Sequence, residues 1–306
     1  MSTGLAAVLF VVSLAATLYA ASVFADRLDH LGARLGLPEG TLGLLTAAGA
    51  DAPELATAIV ALATGAKSVG FGVVVGSNIF NVAAMIGLSA LVCGRVRIRR
   101  DALVLEGGAT IAVTALVVLL AFRVLPAWAV IVLALAVLVP YVVVGFRREL
   151  EHQRPHPPMS SRSLLALPPA VAVIVLGSIG MVHAGIDVGH AAGIPDVLTG
   201  TLLLAVVTSI PNAYTGLRLG RAHRGSALVS ETFNSNTINL VGGLVVPALF
   251  AAVSAGGLAR ADGVWLLVVT VAAVALLVPR GGVRRWGGSL LVASWIAFAV
   301  VQGVVG

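Results

Sequence analysis

Ten apolar stretches, near residues 4–25, 40–64, 69–93, 102–122, 126–145, 164–184, 196–217, 226–252, 264–279 and 287–305, limit what this 306-residue chain can fold into. An α-helix needs about 17 to 25 residues to cross the hydrocarbon core of a bilayer, and these stretches have that length. Only 10% of the residues are charged, where a soluble domain carries about a quarter, and the mean hydropathy is +1.05. In hydrocarbon every backbone polar group must find a partner within the protein, and helices satisfy that requirement internally. The sequence therefore predicts an all-α polytopic membrane protein with ten transmembrane helices.

A net charge of +6 and a pI of about 10.6 would suit a nucleic-acid partner, but the placement of the basic residues argues against one. With the N-terminus outside, the inner loops hold Arg27 and Arg34; Arg95, Arg97, Arg99 and Arg100; Arg147, Arg148, Arg154 and Arg162; Arg218, Arg221 and Arg224; and Arg280, Arg284 and Arg285. Only Lys67, Arg123 and Arg260 fall outside. Sixteen of nineteen on one side is a strong positive-inside bias, which predicts a multi-pass cell-membrane protein with both termini extracytoplasmic. Spread over five loops, the charges suit anionic lipid headgroups of the bilayer rather than nucleic acid. The single Cys93 permits no internal disulfide and no cysteine-based metal framework, and it reads as a helix-end packing residue. The first apolar stretch lacks a basic leader and runs into Asp26 and Arg27 rather than a small-residue cleavage site, so a retained helix is expected. No soluble domain is expected on either side of the bundle.

The longest polar run, Arg147 to Ser163, divides the ten helices into five and five. The expected organisation is a first five-helix repeat over 1–146, a cytoplasmic linker over 147–163 and a second five-helix repeat over 164–306. Because five is odd, the second repeat enters the membrane from the opposite side. The halves are then inverted-topology repeats, as in many secondary transporters with a site near the bilayer midplane.

Two polar segments repeat inside the apolar stretches. Gly49-Ala50-Asp51-Ala52-Pro53-Glu54 precedes Gly76-Ser77-Asn78-Ile79-Phe80-Asn81, and Val207-Thr208-Ser209-Ile210-Pro211-Asn212 precedes Asn234-Ser235-Asn236-Thr237-Ile238-Asn239. One offset of 158 superimposes the prolines and the Ser-Asn-x-x-Asn runs, since both Glu54 to Asn81 and Asn212 to Asn239 span 27 positions. Pro53 and Pro211 each lack an N–H and crowd the carbonyl four residues earlier, which frees the carbonyls of Gly49 and Val207. Gly49 loosens the first break further, while Val207 predicts a more regular second one.

Glu54 lies near the middle of its span, where a carboxylate marks an ion pathway. Asp51 lies three residues earlier, on the same side of a continuous helix. Two carboxylates at that depth repel unless a cation or proton sits between them. Hard cations such as Ca²⁺ take six to eight oxygens from carboxylates, carbonyls, hydroxyls and amides. Ser77 and Asn81 share a helix face, with Asn78 beside them, and Glu231, Ser235 and Asn239 form a similar stripe with Asn236 alongside. Such residues often serve as interhelical glue, but their repetition beside two broken helices points to a binding site.

These segments resemble the repeats of the cation/Ca²⁺ exchanger superfamily, whose pattern runs roughly Gly-Thr-Ser-x-Pro-Glu and then Gly-Ser-Asn-x-Phe-Asn or Asp. Residues 76–81 match the second element intact, and Thr208, Ser209, Pro211, Ser235, Asn236 and Asn239 keep much of the second copy. The resemblance implies a secondary active antiporter exchanging Ca²⁺ against Na⁺ or H⁺, with helices one and six sliding across the other eight. It implies no cofactor; the transported inorganic cations are the ligands. By position Glu54, Ser77, Asn81, Thr208, Ser209, Ser235 and Asn239 would hold the ion. The family's second glutamate is Asn212 here, and its first Thr-Ser pair is Ala50-Asp51. Asp51 can restore the lost charge, and Glu231, which replaces Val73 of the first repeat, can add another if it faces inward. Carboxylates that no cation balances would also admit proton coupling.

Other readings compete. The same scaffold could carry Mg²⁺ or Mn²⁺, run Na⁺/H⁺ exchange alone, or have lost transport through the change at Asn212. An intramembrane aspartyl protease would need a second acid close to Asp51. The remaining aspartates, Asp26, Asp29, Asp101, Asp187, Asp196 and Asp262, are expected at helix ends or in loops, which leaves only Glu54. A serine protease would need an embedded base, and His183 and His190 lie toward the outer surface. His152, His156 and His223 have no metal-ligand spacing, and Glu106 is expected to pair with Arg99 or Arg100. The four tryptophans read as packing residues or interface anchors.

Overall fold

A computed structural model describes residues 2–34, 49–149, 165–250, 256–279 and 282–305. The predicted linker from position 150 onward, residues 40–48 of the second apolar stretch, and Arg154, Arg162, Arg280, His152 and His156 lie outside the described residues. Every predicted stretch contains helix: α1 (Thr3–Arg34), α2 (Ala52–Ala63), α3 (Lys67–Cys93), α4 (Arg100–Ala121), α5 (Ala127–Glu149), α6 (Leu167–Ala191), α7 (Asp196–Thr208) with α8 (Ile210–Arg221), α9 (Gly225–Leu240), α10 (Gly257–Leu277) and α11 (Arg285–Val305). Among the described residues seven helices are long and apolar enough to cross a membrane, and α7 with α8 forms a further span bent by 46°. The protein is an all-α polytopic membrane protein, and these elements are consistent with ten spans.

The inner elements are α2, α3 and α7 to α9. Close approach of α3 to α7 depends on glycine, because a Cβ at Gly76 would overlap the backbone of Thr201 and one at Gly200 would overlap that of Val69. α1 and α6 lie against each other in the same way. A Cβ at Gly177 or Gly180 would meet the hydroxyl of Thr17 or Ser13. Small residues let helix backbones approach where lipid supplies no hydrophobic drive for association.

The offset of 158 recurs in the packing. Ala58 lies beside Gly243, and the equivalent positions Gly216 and Met85 pack together likewise. A π-helical turn follows at matching places, Val82–Leu88 directly after Asn81 and Val241–Val245 two residues after Asn239. These correspondences express two inverted repeats in three dimensions.

Several of the arginine-bearing loops meet. A short antiparallel pair, β1 (Arg95–Val96) with β2 (Val283–Arg284), joins the α3–α4 loop to the segment before α11, and Gly225 packs on the backbone of Arg97. On the opposite side Arg260 donates to the Ala121 carbonyl at 3.2 Å and lies over the Phe122 ring.

Candidate functional site

The two helix breaks fall on equivalent residues. Asp51 (φ −81°, ψ −5°) caps α2 and Ser209 (φ −88°, ψ 0°) caps α8, each just ahead of its proline. Their carbonyls accept the amides of Leu55 and Ala213, both at 3.0 Å. Proline belongs in a first helical turn because its missing N–H would be unpaired there anyway, so each proline restarts the helix after the break. The second break was expected to be more regular for want of a glycine. It has nearly the same dihedrals as the first and bends by 46°, so the shared proline position, and not Gly49, goes with the break.

Asp51 and Glu54 are buried, at 0% and 1% exposure. Asp51 Oδ1 accepts from Ser235 Oγ at 2.6 Å and from Asn212 Nδ2 at 2.9 Å. Glu54 Oε1 accepts the Ser209 hydroxyl, and Oε2 accepts Asn239 Nδ2 at 2.6 Å. Asn212 Nδ2 also lies 3.3 and 3.5 Å from the Glu54 oxygens, so one amide nitrogen stands between the two carboxylates. Both acids come from the first half, and these donors all come from the second. The cluster exists only where the halves meet.

Asn78 and Asn236 form a reciprocal pair. Asn78 Nδ2 donates to the Asn236 carbonyl at 3.1 Å, and Asn236 Nδ2 donates to the Asn78 carbonyl at 3.0 Å. Each residue maps onto the other by the repeat offset, which places the local two-fold axis between them. Asn81 Nδ2 reaches Ser235 Oγ and Asn236 Oδ1, both at 3.3 Å. Three buried oxygens of the cluster, Asp51 Oδ2, Asn81 Oδ1 and Asn239 Oδ1, have no hydrogen-bond partner among the described residues. Each is an acceptor able to take a donor or a cation, and buried polar atoms rarely go without.

Nine of the ten candidates lie in or against this cluster by position, but two of those nine turn aside. Ser77 Oγ donates to the Val74 carbonyl at 3.0 Å, and Thr208 Oγ1 donates to the Leu204 carbonyl at 2.8 Å. Glu231 is half-buried one helical turn from Ser235, with Asp51, Arg218 and Arg224 as its charged neighbours. No hydrogen bond joins it to the cluster among the described residues. The reciprocal role of Asn78 and Asn236 was missed, although their identical register in both repeats was a usable signal. Thr57 was missed too: its hydroxyl donates to the Pro53 carbonyl at 2.6 Å and reaches Ser178 of α6 at 3.4 Å.

One expectation needs correction. Asp262 is not at a helix end or in a loop: it is 1% exposed inside α10, where it accepts the side-chain amide of Gln302 from α11. That partner lies forty positions away and could not be read from local sequence. Of the two arginines expected beside Glu106, Arg99 and Arg100, the Arg99 guanidinium binds Asp101 at 2.9 Å, across the start of α4.

The arrangement has relatives. Sodium/calcium exchanger MaX1 of Methanosarcina acetivorans is 27% identical over 142 residues, which are 46% of this chain. The chain thus spans only 41% of that relative's length in the match. Among solved structures, the H⁺/Ca²⁺ exchanger CAX superimposes with a TM-score of 0.76 at 13% identity, covering 98% of this chain and 86% of that one. The sodium-calcium exchanger NCX_Mj gives 0.65 at 20% identity over 97% and 98%. At such identities these structures support the fold. The family described as sodium/calcium exchanger protein matches residues 5–146 and again 163–304. With both halves matched, this chain belongs to the sodium/calcium exchanger protein family.

Proposed function

We propose that the chain is a secondary active antiporter that exchanges Ca²⁺ against Na⁺ or H⁺ at the Asp51–Glu54 cluster. The observation that carries this reading is a pair of buried carboxylates in a cluster where Asp51 Oδ2, Asn81 Oδ1 and Asn239 Oδ1 have no hydrogen-bond partner among the described residues, at the crossing of two broken helices. Two negative charges match one divalent cation. Both oxygens of Asp51, both of Glu54, Asn81 Oδ1 and Asn239 Oδ1 make six protein donors, within the six to eight that Ca²⁺ takes. Mg²⁺ keeps several of its waters and demands near-ideal octahedral geometry, so a protein-walled cluster favours the larger ion.

In this reading Asp51 supplies the charge that Asn212 lacks, and the Asn212 amide holds the carboxylates until the cation arrives. Ser209, Ser235 and Asn239 fix their orientation, and Ser77 and Thr208 serve the helices rather than the ion. Residues 1–146 and 164–306 act as the two inverted halves about the linker 147–163, with the linker cytoplasmic and both termini outside. α1 and α6 form the gating pair. Their glycine-lined contact permits sliding, and Ser178 places α6 against Thr57, one turn from Glu54.

Proteoliposome flux tests the proposal, with Ca²⁺, Mg²⁺ and Mn²⁺ offered in turn against imposed Na⁺, H⁺ or K⁺ gradients. The expected result is Ca²⁺ movement driven by a Na⁺ or H⁺ gradient. Exchange of no cation under any gradient would refute transport, and Mg²⁺ or Mn²⁺ flux without Ca²⁺ flux would refute the choice of ion.

A further inference from the structure

Asp262 of α10 and Gln302 of α11 form a buried polar pair that the ion cluster does not use; they are 1% and 2% exposed. The Gln302 amide nitrogen Nε2 donates to Asp262 Oδ1. Asp262 Oδ2 and Gln302 Oε1 are left without a hydrogen-bond partner among the described residues. Two unserved polar atoms in one buried contact are costly, and with the carboxylate ionised both are acceptors, so neither can serve the other.

No charge compensates the carboxylate. A Cβ at Gly263 would lie 3.6 Å from Val118 and 4.0 Å from Phe71, which sets Asp262 level with the end of α4 and the start of α3. The ionisable groups at that level are Lys67 of α3, Arg123 just past α4 and Arg260 of α10, and α11 has none there. Among the described residues no salt bridge joins any of them to Asp262. Arg260 instead donates to the Ala121 carbonyl and covers the Phe122 ring. The other ionisable groups of these helices, Cys93, Arg100, Asp101, Glu106 and Arg285, lie toward their opposite ends.

A metal ion fits no better, since two free oxygens fall well short of the six to eight that Ca²⁺ takes. A single proton does fit. On Oδ2 it turns that atom into a donor, and Gln302 Oε1, on the same amide that holds Oδ1, is its acceptor. Carboxyl and amide then exchange two hydrogen bonds through complementary edges, and both unserved atoms are satisfied at once.

We propose that Asp262 and Gln302 are a proton-binding site, separate from the Asp51–Glu54 cluster, in which a protonated carboxyl and an amide lock α10 to α11. The proton comes from water and returns to it, and no other bond is made or broken. Trp265 and Phe298 close the same helix contact about one turn further along, with ring centroids 5.8 Å apart. α11 also packs Trp295 on Phe80, the neighbour of Asn81, at 5.5 Å, so the locked pair backs a helix that carries a residue of the ion cluster.

Infrared difference spectroscopy of the full chain in lipid tests the proposal at about pH 6, where an ordinary aspartate of pKa about 3.9 is almost wholly ionised. Subtracting the Asp262→Asn spectrum from the parent's should leave one carboxylic-acid carbonyl band per chain, unchanged by Ca²⁺. Gln302→Leu keeps the acid and removes its acceptor, so it should move that band to the higher frequency of an unbonded acid. Asp262→Asn should melt within about 3 °C of the parent, because its amide makes the same two bonds as the neutral acid. An absent acid band, a band that Ca²⁺ removes or Gln302→Leu leaves in place, or an Asp262→Asn chain that does not fold would overturn the proposal. A carboxylate band in its stead would give Asp262 a charge, with Oδ2 served by the Trp265 indole N–H, and overturn it as well. None of these readouts requires Ca²⁺ transport, so they stand or fall apart from the antiport reading.

Discussion

Asn212→Asp puts the geometry of the cluster under the most strain for the least change in shape. The substitution replaces an amide nitrogen by a charged oxygen 2.9 Å from Asp51 and 3.3 Å from Glu54. At an effective dielectric near 20, Coulomb's law gives about 5 kcal/mol of repulsion for each neighbour at those distances. Two neighbours make about 10 kcal/mol, comparable with the whole stability of many folded proteins. Three such carboxylates cannot stay bare, so the variant needs a cation or a proton in the site to remain folded. Thermal unfolding in detergent at alkaline pH, with and without Ca²⁺, reads this directly. Without metal the variant should melt well below the parent, and Ca²⁺ should raise its midpoint by about 10 °C more than the parent's. If Asn212→Asp melts at the parental temperature without metal and gains no more from Ca²⁺, its amide does not stand between the carboxylates.

Gly76→Ala should destabilise by about 1 to 3 kcal/mol through overpacking against the Thr201 backbone, while Gly108→Ala should be neutral or slightly stabilising in the same melting assay. Asn78→Ala and Asn236→Ala each remove two interhelical bonds, one donated to the partner's carbonyl and one accepted by the residue's own Oδ1. Their costs, about 1 to 2 kcal/mol, should agree within a factor of two, and a wide disparity would contradict the local two-fold axis. Glu231→Gln should leave the number of Ca²⁺ ions bound per chain unchanged by equilibrium dialysis, because among the described residues no hydrogen bond joins Glu231 to the cluster; loss of the ion would place Glu231 among its ligands.

The fold was legible because lipid simplifies the code. Ten apolar stretches, the basic residues alternating by loop and one repeat offset were enough to predict inverted halves, and the reciprocal pairing of Asn78 with Asn236 is that offset in space. Asp51 and Glu54 were legible as acids where acids are costly. Which hydroxyls face them was not: Ser77 and Thr208 can satisfy their own helix by bonding a carbonyl three or four residues back, and sequence spacing alone cannot tell that rotamer from an inward one. The π-helical turns after the Asn81 and Asn239 positions left no periodic signal, since one extra residue per turn shifts the register only locally. Asp262 escaped because its partner Gln302 belongs to another helix.

The central claim is that two inverted repeats together build one divalent-cation site between Asp51 and Glu54. Isothermal titration of the purified chain with Ca²⁺ measures it most directly, alongside Asp51→Asn and Glu54→Gln variants shown to be folded by their melting curves. The account predicts one Ca²⁺ per chain in the parent and at least a hundredfold loss of affinity in each variant, corresponding to about 2.7 kcal/mol. Parental affinity in a folded Glu54→Gln would contradict it.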